Sequence, residues 1–265
     1  MILLFFISIG LSIGYIFLLQ WITEGWEVFI PYKGGNPSTK VSIIIAARNE
    51  EANIVNCLSS IYKNKYPQDL LEIIVVDDQS QDRTAAIVKE QFPQVTLLYT
   101  IKNQGKKAAI QLAANRSQGE LLMFTDADCI VPQYWLCQID EFSEQNNSKM
   151  IVGQVMYQST NFSFLESFQL LDFLSLQGAT LGGFGIKKPF LCNGANLAYK
   201  KDAFIALKGF HGNEEIASGD DIFLFEKFYK KNPTEVFIPL GSGISMRGQQ
   251  THREQMDIST YIPED

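Results

Sequence analysis

Three short apolar runs, each ending in polar and mostly acidic residues that lead into a helix, constrain this fold most. They cover residues 41–47, 71–76 and 120–125. Runs of this length that are rich in branched residues are typical of strands buried on both faces. Strands alternating with helices predict an α/β fold, in which a mainly parallel sheet carries helices on both faces. We therefore expect the polar tips of these strands to converge on one crevice.

The most informative tip is Asp126-Ala127-Asp128, which directly follows the third run. Two carboxylates one residue apart at a strand end can hold one divalent cation from the same side. Mg²⁺ and Mn²⁺ prefer oxygen ligands and commonly keep part of their shell for substrate phosphates. Acidic residues are common at strand ends, so this D-x-D pair gains its weight from the motifs around it.

The other two tips are polar as well. The first run ends in Arg48-Asn49-Glu50, and the second ends in Asp77-Asp78 before a helix that Asp82 is suited to cap. Capping and turn formation remain the alternative explanation for these residues.

Five motifs occur along the chain in a fixed order: V-S-I-I-I-A-A-R-N-E-E, I-I-V-V-D-D-Q-S-Q-D-R-T, N-Q-G-K-K-A-A-I-Q-L-A, F-T-D-A-D and S-G-D-D-I-F-L. Together they resemble the inverting family 2 glycosyltransferases with a GT-A fold, over roughly residues 41–240. The resemblance implies metal-assisted transfer of a sugar from a nucleotide-diphosphate sugar, with uridine as the expected base. It also implies a glycan or lipid-linked acceptor and Mg²⁺ or Mn²⁺ as cofactor.

The resemblance assigns roles on the donor side of the site. Asp128, with Asp126, is expected to bind the metal, and Asp126 also faces the donor diphosphate. Lys106 matches a glycine-lysine position near the nucleotide, although a solvated surface lysine is the alternative. The residues that match the nucleoside pocket are Arg48, Asn49, Glu50, Asp77 and Asp78.

On the acceptor side, Asp221 matches the proposed general base, with Asp220 before it. Capping of a helix N-terminus is the alternative for both. The segment 192–196 matches an acceptor-side motif, in which Asn193, Gly194 and Asn196 are expected to contact the acceptor. A plain turn between strands explains the same segment equally well.

Composition excludes some partners and sites. The formal charge of −7 and the absence of a basic stripe argue against nucleic acid. The four cysteines form no C-x-x-C pair and are expected to be reduced and mostly buried. A nucleotidyltransferase would require a Gly-rich basic loop near the first strand, and a Rossmann dehydrogenase would require G-x-G-x-x-G; neither motif is present.

The N-terminal segment is a different kind of sequence. Residues 1–22 carry no charged side chain and are long enough to cross a bilayer once. A cleaved signal peptide and a buried helix are the alternatives. Lys33, Lys40 and Arg48 follow the segment and nothing basic precedes it. We therefore expect a single-pass protein of the inner (plasma) membrane with a cytoplasmic catalytic domain.

The expected domains are an anchor (1–22), a linker (23–40), a GT-A domain (41–240) and an atypical or truncated C-terminal tail (241–265). Membrane-bound processive relatives carry Q-x-x-R-W after the base, whereas residues 250–253 read Q-T-H-R and are followed by Glu254. The departure leaves a second hypothesis open: a catalytically impaired member acting as a binding subunit of a glycan-synthesis complex.

Residues 161–190 are unusually rich in Phe and Leu for a soluble domain. From the pattern alone, an amphipathic helix lying on a bilayer and a buried core helix are equally good interpretations.

Overall fold

The structure is a computed structural model that describes residues 2–24, 36–101, 105–158, 163–212, 219–239 and 244–247. The helices are α1 (Ile2–Glu24), α2 (Ile54–Tyr62), α3 (Thr84–Gln91), α4 (Gly105–Arg116), α5 (Trp135–Asn146), α6 (Phe164–Gly185), α7 (Lys201–Ala206) and α8 (Asp220–Lys231). The strands are β1 (Val41–Ala47), β2 (Leu71–Asp77), β3 (Thr96–Tyr99), β4 (Leu121–Phe124), β5 (Cys129–Ile130), β6 (Met150–Val152), β7 (Val155–Gln158), β8 (Leu197–Lys200), β9 (Val236–Phe237) and β10 (Ile244–Arg247).

A seven-stranded sheet forms the centre of the fold, in the order β3-β2-β1-β4-β8-β6-β9. The three runs that define the sequence are its neighbouring parallel strands β2, β1 and β4. Only β8 runs antiparallel to its neighbours β4 and β6. The prediction of a mainly parallel α/β sheet is therefore confirmed.

Two apolar cores lie on the two faces of this sheet, because successive strand side chains point to opposite sides. Ile43 and Ile45 face the core covered by α2, α3 and α5, whereas Ile44 faces the core covered by α4, α7 and α8. Burial on both faces explains why β1 is apolar along almost its whole length.

A second sheet has three short strands in the order β5-β10-β7. Its strand β5 directly follows the D-x-D pair in the sequence. β10 pairs in parallel with β7 and antiparallel with β5. This strand falls within the segment expected to be an atypical tail. The rest of that segment, 241–243 and 248–265, lies outside the described residues, as do most of the expected linker and Lys33.

The N-terminal helix α1 ends at Glu24 and is long and apolar enough to cross a membrane. In the most apolar stretch of this helix, which lies within Phe5–Glu24, no residue is buried. The buried-helix alternative for this segment is therefore wrong for the described side chains.

The Phe- and Leu-rich segment forms α6, which starts at a capping box between Ser163 and Glu166. Its buried residues are confined to the C-terminal part, at Thr180, Gly182 and Gly183. The core-helix alternative is therefore wrong, because Phe164 at the other end is 90% exposed.

Candidate active site

The loops after β1 and β2 are joined to each other by reciprocal hydrogen bonds. The backbone N–H of Asn49 donates to Ser80 Oγ at 3.0 Å, and the N–H of Gln81 donates to Asn49 Oδ1 at 2.8 Å. Asn49 has φ +57°, a conformation that asparagine tolerates better than most residues. Asn49 therefore shapes the loop, while its neighbour Arg48 is exposed to solvent.

Glu50 is held next to the D-x-D pair. Its backbone N–H donates to Thr84 Oγ1 at 2.7 Å, and its carboxylate accepts from Asn53 Nδ2 at 2.9 Å. Burial, and then the negative charges of Asp128 and Asp126, raise the pKa of Glu50, and the bond from Asn53 only partly offsets them. The tip of β1 thus adds a third carboxylate to the field around the D-x-D pair.

The acidic pair after β2 is buried, and its two members have different surroundings. Asp78 accepts from Thr100 Oγ1 at 2.5 Å and from the backbone N–H of Gly105 at 3.1 Å, so it anchors the start of α4. Asp77 accepts from the N–H of Ser80 at 3.2 Å through Oδ2. Its other oxygen, Oδ1, is buried and has no hydrogen-bond partner among the described residues. A buried acceptor left open is costly and is suited to an N–H donor from a ligand.

Lys106 lies between the D-x-D pair and the two aspartates at the start of α8. Its Nζ lies 2.5 Å from Asp126 Oδ1. Burial would lower the pKa of Lys106, but the charges of Asp126, Asp220 and Asp221 raise it above its ordinary value. The lysine predicted near the nucleotide is therefore a partly exposed cation paired with a carboxylate, which is a different environment from that of a freely solvated surface lysine.

Asp128 lies beside this ion pair and forms no ion pair of its own with the described part of the chain. Burial, followed by the negative charge of Asp126, raises its pKa above the ordinary value of 3.8, although Lys106 partly offsets the effect. Its Oδ1 accepts a weak hydrogen bond from Cys129 Sγ at 3.7 Å. The site therefore carries more negative charge than its lysine neutralises.

These oxygen donors fit a hard divalent cation such as Mg²⁺ or Mn²⁺. Within the described ranges, no three His, Cys, Asp or Glu side chains converge closely enough to enclose an ion. The donor set consequently suits an ion bound by one or two carboxylates that takes its remaining ligands from water and phosphate oxygens.

The predicted general base begins α8. Gly219, with φ +72°, precedes the helix, and Asp220 and Asp221 form its first turn. Asp221 Oδ1 accepts from the N–H of Ile222 at 2.8 Å, and Oδ2 accepts from the N–H of Gly194 at 3.0 Å. Helix capping therefore explains only part of the position of Asp221, because its Oδ2 bonds to Gly194 in the segment 192–196 and not to the helix.

A small pocket joins these groups. Its polar wall is formed by Lys106, Asp220, Asp221 and Gly194, and its apolar floor includes Phe124 and Tyr199. The fold thus brings together one lysine, two aspartates and a glycine that come from three separate motifs of the sequence.

The acceptor-side segment divides into two environments. Gly194 lines the pocket, and Asn193 Oδ1 accepts from the N–H of Ala195 at 3.0 Å. Asn196 is only 1% exposed; its Oδ1 accepts from Trp135 Nε1 at 3.0 Å, and its Nδ2 donates to the carbonyl of Gln154 at 2.8 Å. Asn196 therefore supports the fold, and its amide is not available to a sugar hydroxyl.

Sequence reasoning missed that Thr100 and the N–H of Gly105 hydrogen-bond to the carboxylate of Asp78. Thr100 directly follows β3, so it is a fourth strand tip of the same sheet. Because β3 is short and partly exposed, its run is too weak to stand out. Gly105, with φ +76°, permits the turn into α4 that brings its N–H to Asp78.

Comparison with known sequences gives a consistent picture. Residues 42–207, more than half of the chain, match the family model described as glycosyl transferase family 2. Glycosyltransferase AglE of Haloferax volcanii is 36% identical over 99 residues, which are 36% of this chain and 33% of that protein. A beta-monoglucosyldiacylglycerol synthase of Synechocystis is 34% identical over 102 residues, 37% of this chain and 21% of that protein. The matches thus span a third or less of the length of these relatives.

Comparison with solved structures identifies the fold. The mannosyltransferase PcManGT from Pyrobaculum calidifontis, solved with GDP-Man and Mn²⁺, superposes with a TM-score of 0.68 at 22% identity, covering 90% of this chain and 67% of that one. Residues 1–349 of S. aureus TarS, solved with UDP-GlcNAc, give a TM-score of 0.62 at 19% identity, covering 80% of this chain and 59% of that one. At these identities the likeness establishes a shared GT-A fold.

Proposed function

The chain belongs to glycosyl transferase family 2, and on that basis we propose that it is a membrane-anchored, inverting enzyme using a nucleotide-diphosphate sugar. A UDP-sugar is the proposed donor, and the acceptor is a glycan or a lipid-linked glycan. The observation that carries the proposal is the position of Lys106, which pairs with Asp126 and lines one pocket with Asp220 and Asp221. This position supports a shared site, because Lys106 contacts a proposed donor-side carboxylate and also lines the pocket of the proposed base.

In this proposal, the strand tips bind the donor. The open Oδ1 of buried Asp77 accepts an N–H of the nucleobase, and Asp78 keeps the adjoining turn in place. Lys106 attracts the diphosphate, because its ammonium lies at the D-x-D pair, where it forms an ion pair with Asp126. GDP-Man in PcManGT and UDP-GlcNAc in TarS support a nucleotide sugar as the ligand class.

Asp128 and Asp126 would hold Mg²⁺ or Mn²⁺, as the Mn²⁺ in PcManGT also suggests. When bound, this ion would neutralise charge that develops on the departing diphosphate. Burial and the negative charge of Asp126 raise the pKa of Asp128, and a bound cation would stabilise its charged form.

Asp221 is the proposed general base. Its carboxylate takes the proton from the acceptor hydroxyl while that oxygen bonds to the anomeric carbon. The bond from the anomeric carbon to the diphosphate breaks in the same displacement, and the nucleoside diphosphate leaves. Attack opposite the leaving group inverts the anomeric configuration. The bond from Gly194 keeps the carboxylate of Asp221 oriented in the pocket.

We further propose that α1 anchors the protein in the inner membrane, with the active site on the cytoplasmic side. The apolar, unburied surface of α1 supports an anchor. The excess of basic residues after α1 supports the orientation. The GT-A domain over 41–240, with its linker and tail, is part of the same proposal.

Nucleotide titration tests the proposal. UDP, GDP and dTDP are titrated calorimetrically into the detergent-solubilised full chain with Mn²⁺ or with a chelator. We expect one nucleotide to bind in a metal-dependent manner and Asp128→Asn to lose that binding. Asp69→Asn is the control, because it alters an exposed carboxylate just before β2, at the opposite end of that strand from Asp77. Failure of every nucleotide to bind folded protein would contradict the enzyme and favour the binding-subunit hypothesis.

A further inference from the structure

The turn 207–212, which follows α7, brings an aromatic ring to the pocket of the proposed base. Phe210 is only 6% exposed and lines the same pocket as Asp220 and Asp221. Its ring meets that of Phe204 edge to face, with centroids 5.9 Å apart. The turn therefore forms part of the apolar wall of this pocket.

The backbone of this turn has an uncommon conformation. Lys208, Gly209 and Gly212 have φ values of +58°, +48° and +91°. A positive φ is uncommon for a residue with a side chain, such as Lys208, and it costs free energy. At Gly209 an added Cβ would lie 2.9 Å from Phe204 Cζ, so a side chain has no room there. Such a conformation persists only where surrounding contacts hold it.

Lys227 of α8 supplies two of these contacts. Its ammonium donates to the carbonyl of Gly209 at 2.7 Å and to the carbonyl of His211 at 3.1 Å. These carbonyls belong to the residues on either side of Phe210. Because a charged donor forms hydrogen bonds roughly twice as strong as a neutral one, Lys227 clamps the backbone around Phe210 to α8.

The same face of α8 completes the contact through Phe223, one helical turn before Lys227. Lys227 Nζ lies 5.1 Å from the centroid of the Phe223 ring. Gly212 lies beside this ring, since an added Cβ there would be 3.8 Å from Phe223 Cζ. Asp221 is in the first turn of α8, and a spacing of six residues places it about 9 Å along the axis from Lys227. One helix thus carries both the proposed base and the lysine that holds the turn.

We propose that Lys227 is a positioning residue for sugar transfer. It fixes Phe210 relative to Asp221, so that the pocket keeps the shape in which an acceptor hydroxyl meets the carboxylate. The inference rests on the proposed function, because it assigns this pocket to the acceptor. A role in stability alone is the alternative, and it predicts a lower Tm with an unaltered base.

Three variants separate these two roles. Lys227→Met removes the ammonium and keeps a side chain of similar length, whereas Lys227→Arg keeps a charged donor. Lys230→Met is the matched control on the same helix, because Lys230 is exposed and its Nζ pairs with Glu226 at 2.6 Å on the surface. Lys227→Gln, which is neutral and one bond shorter, replaces Lys227→Met if that variant does not fold.

Hydrogen exchange of single backbone amides, measured by mass spectrometry on the detergent-solubilised full chain, is the main readout. The N–H of Gly194 reports on the base, because it donates to Asp221 Oδ2. The N–H of His211, which forms a hydrogen bond of 3.0 Å within the turn, reports on the clamp. We expect both amides to exchange several-fold faster in Lys227→Met. In Lys227→Arg and Lys230→Met both should exchange at the unmodified rate.

Unchanged exchange at Gly194 in Lys227→Met overturns the proposal, whether or not His211 exchanges faster. An equal rise along the buried strand β1 would show a loss of global stability, which overturns it as well.

Titration of UDP with Mn²⁺, together with hydrolysis of UDP-glucose, relates the clamp to activity. We expect Lys227→Met to keep the Kd for UDP and to hydrolyse the donor about tenfold more slowly, because a displaced base loses its alignment. Equal hydrolysis in Lys227→Met and the unmodified protein overturns the proposal. If the unmodified protein neither binds UDP nor hydrolyses the donor, the proposed function fails by itself, and exchange at Gly194 still decides whether Lys227 positions Asp221.

Discussion

The backbone N–H of Gly194 donates a hydrogen bond to Oδ2 of Asp221 at 3.0 Å. A Cβ at position 194 would lie 3.2 Å from Asp221 Cβ and 3.3 Å from Oδ2. The two residues are thus in contact without room for a side chain between them. The acceptor-side turn consequently sets the orientation of the proposed base.

Gly194→Ala is expected to displace the carboxylate of Asp221 and to lower kcat. A misplacement approaching an ångström costs on the order of tenfold to a hundredfold in rate. The Kd for the nucleotide should stay unchanged, since Gly194 lies on the acceptor side. Steady-state kinetics with nucleotide titration provide the measurement. The control is Gly10→Ala in α1, where an added Cβ meets nothing within 4 Å; a loss of kcat equal in both variants would contradict the positioning role.

Lys106→Gln is expected to weaken nucleoside diphosphate binding about tenfold, because a charge-assisted hydrogen bond contributes about 1.5 kcal/mol or more. Calorimetric titration of UDP in the presence of Mn²⁺ measures the change. Lys89→Gln, which alters an exposed lysine in the last turn of α3, should bind as the unmodified protein does. Unaltered affinity in Lys106→Gln would show that the lysine neutralises Asp126 without contacting the donor.

Asp128→Asn is expected to stabilise the metal-free protein at neutral pH, because it removes a half-buried carboxylate that burial and the charge of Asp126 destabilise and that has no ion-pair partner among the described residues. The pKa values of Asp128 and Glu50 are raised, so the folded state holds these protons more tightly than the unfolded chain does. The destabilisation is therefore complete above the raised pKa values and is relieved as the pH falls toward the ordinary values of 3.8 and 4.5.

Urea denaturation at several pH values, with chelator present, measures this effect. The stability difference between Asp128→Asn and the unmodified protein should shrink as the pH falls through that window. Added Mn²⁺ should raise Tm in the unmodified protein and leave Tm of Asp128→Asn unchanged. A destabilised Asp128→Asn variant at neutral pH would refute the argument from unpaired charge.

Asn196→Ala is expected to cost about 1–3 kcal/mol of stability, because it removes the acceptor of the buried Nε1 of Trp135. The carbonyl of Gln154 loses one hydrogen bond but still accepts from the backbone N–H of Ile244 at 3.0 Å. Chemical denaturation, followed by far-UV circular dichroism, measures the loss. A contact with the acceptor sugar predicts a different result: normal stability and a raised KM for the acceptor. Asn193→Ala, which removes a partly exposed side chain, serves as the comparison.

The three central strands and the polar residues that follow them are the part of the site that the sequence predicts best. Val41–Ala47, Leu71–Asp77 and Leu121–Phe124 were recognisable because strands buried on both faces are apolar almost throughout. Their parallel pairing then dictates that Glu50, Asp78 and Asp126 end at one edge. Membership of the family and the glycosyltransferase activity class were also predictable, from the ordered motifs. The individual roles in catalysis and binding stay predictions.

Other assignments failed or stayed open because local sequence carries no information about side-chain direction. Asn196 lies in a motif with Gly194, yet its amide points to Trp135 and away from the pocket. Gly153 leaves the space for that amide, because a Cβ there would lie 2.2 Å from Asn196 Cγ. Gly153 and Asn196 are 43 positions apart, so a five-residue motif around Asn196 cannot reveal their contact.

The sequence by itself determined which segments form the central strands and which acidic residues follow them, since burial on both faces and strand-end position leave a local pattern. Only the tertiary structure decided that α6 turns Phe164 and Phe168 outward, that Lys106 pairs with Asp126, and that Gly194 meets Asp221. The orientation of a helix and the approach of distant loops depend on how neighbouring elements pack. That packing joins residues far apart in the chain and leaves no periodic signal in it.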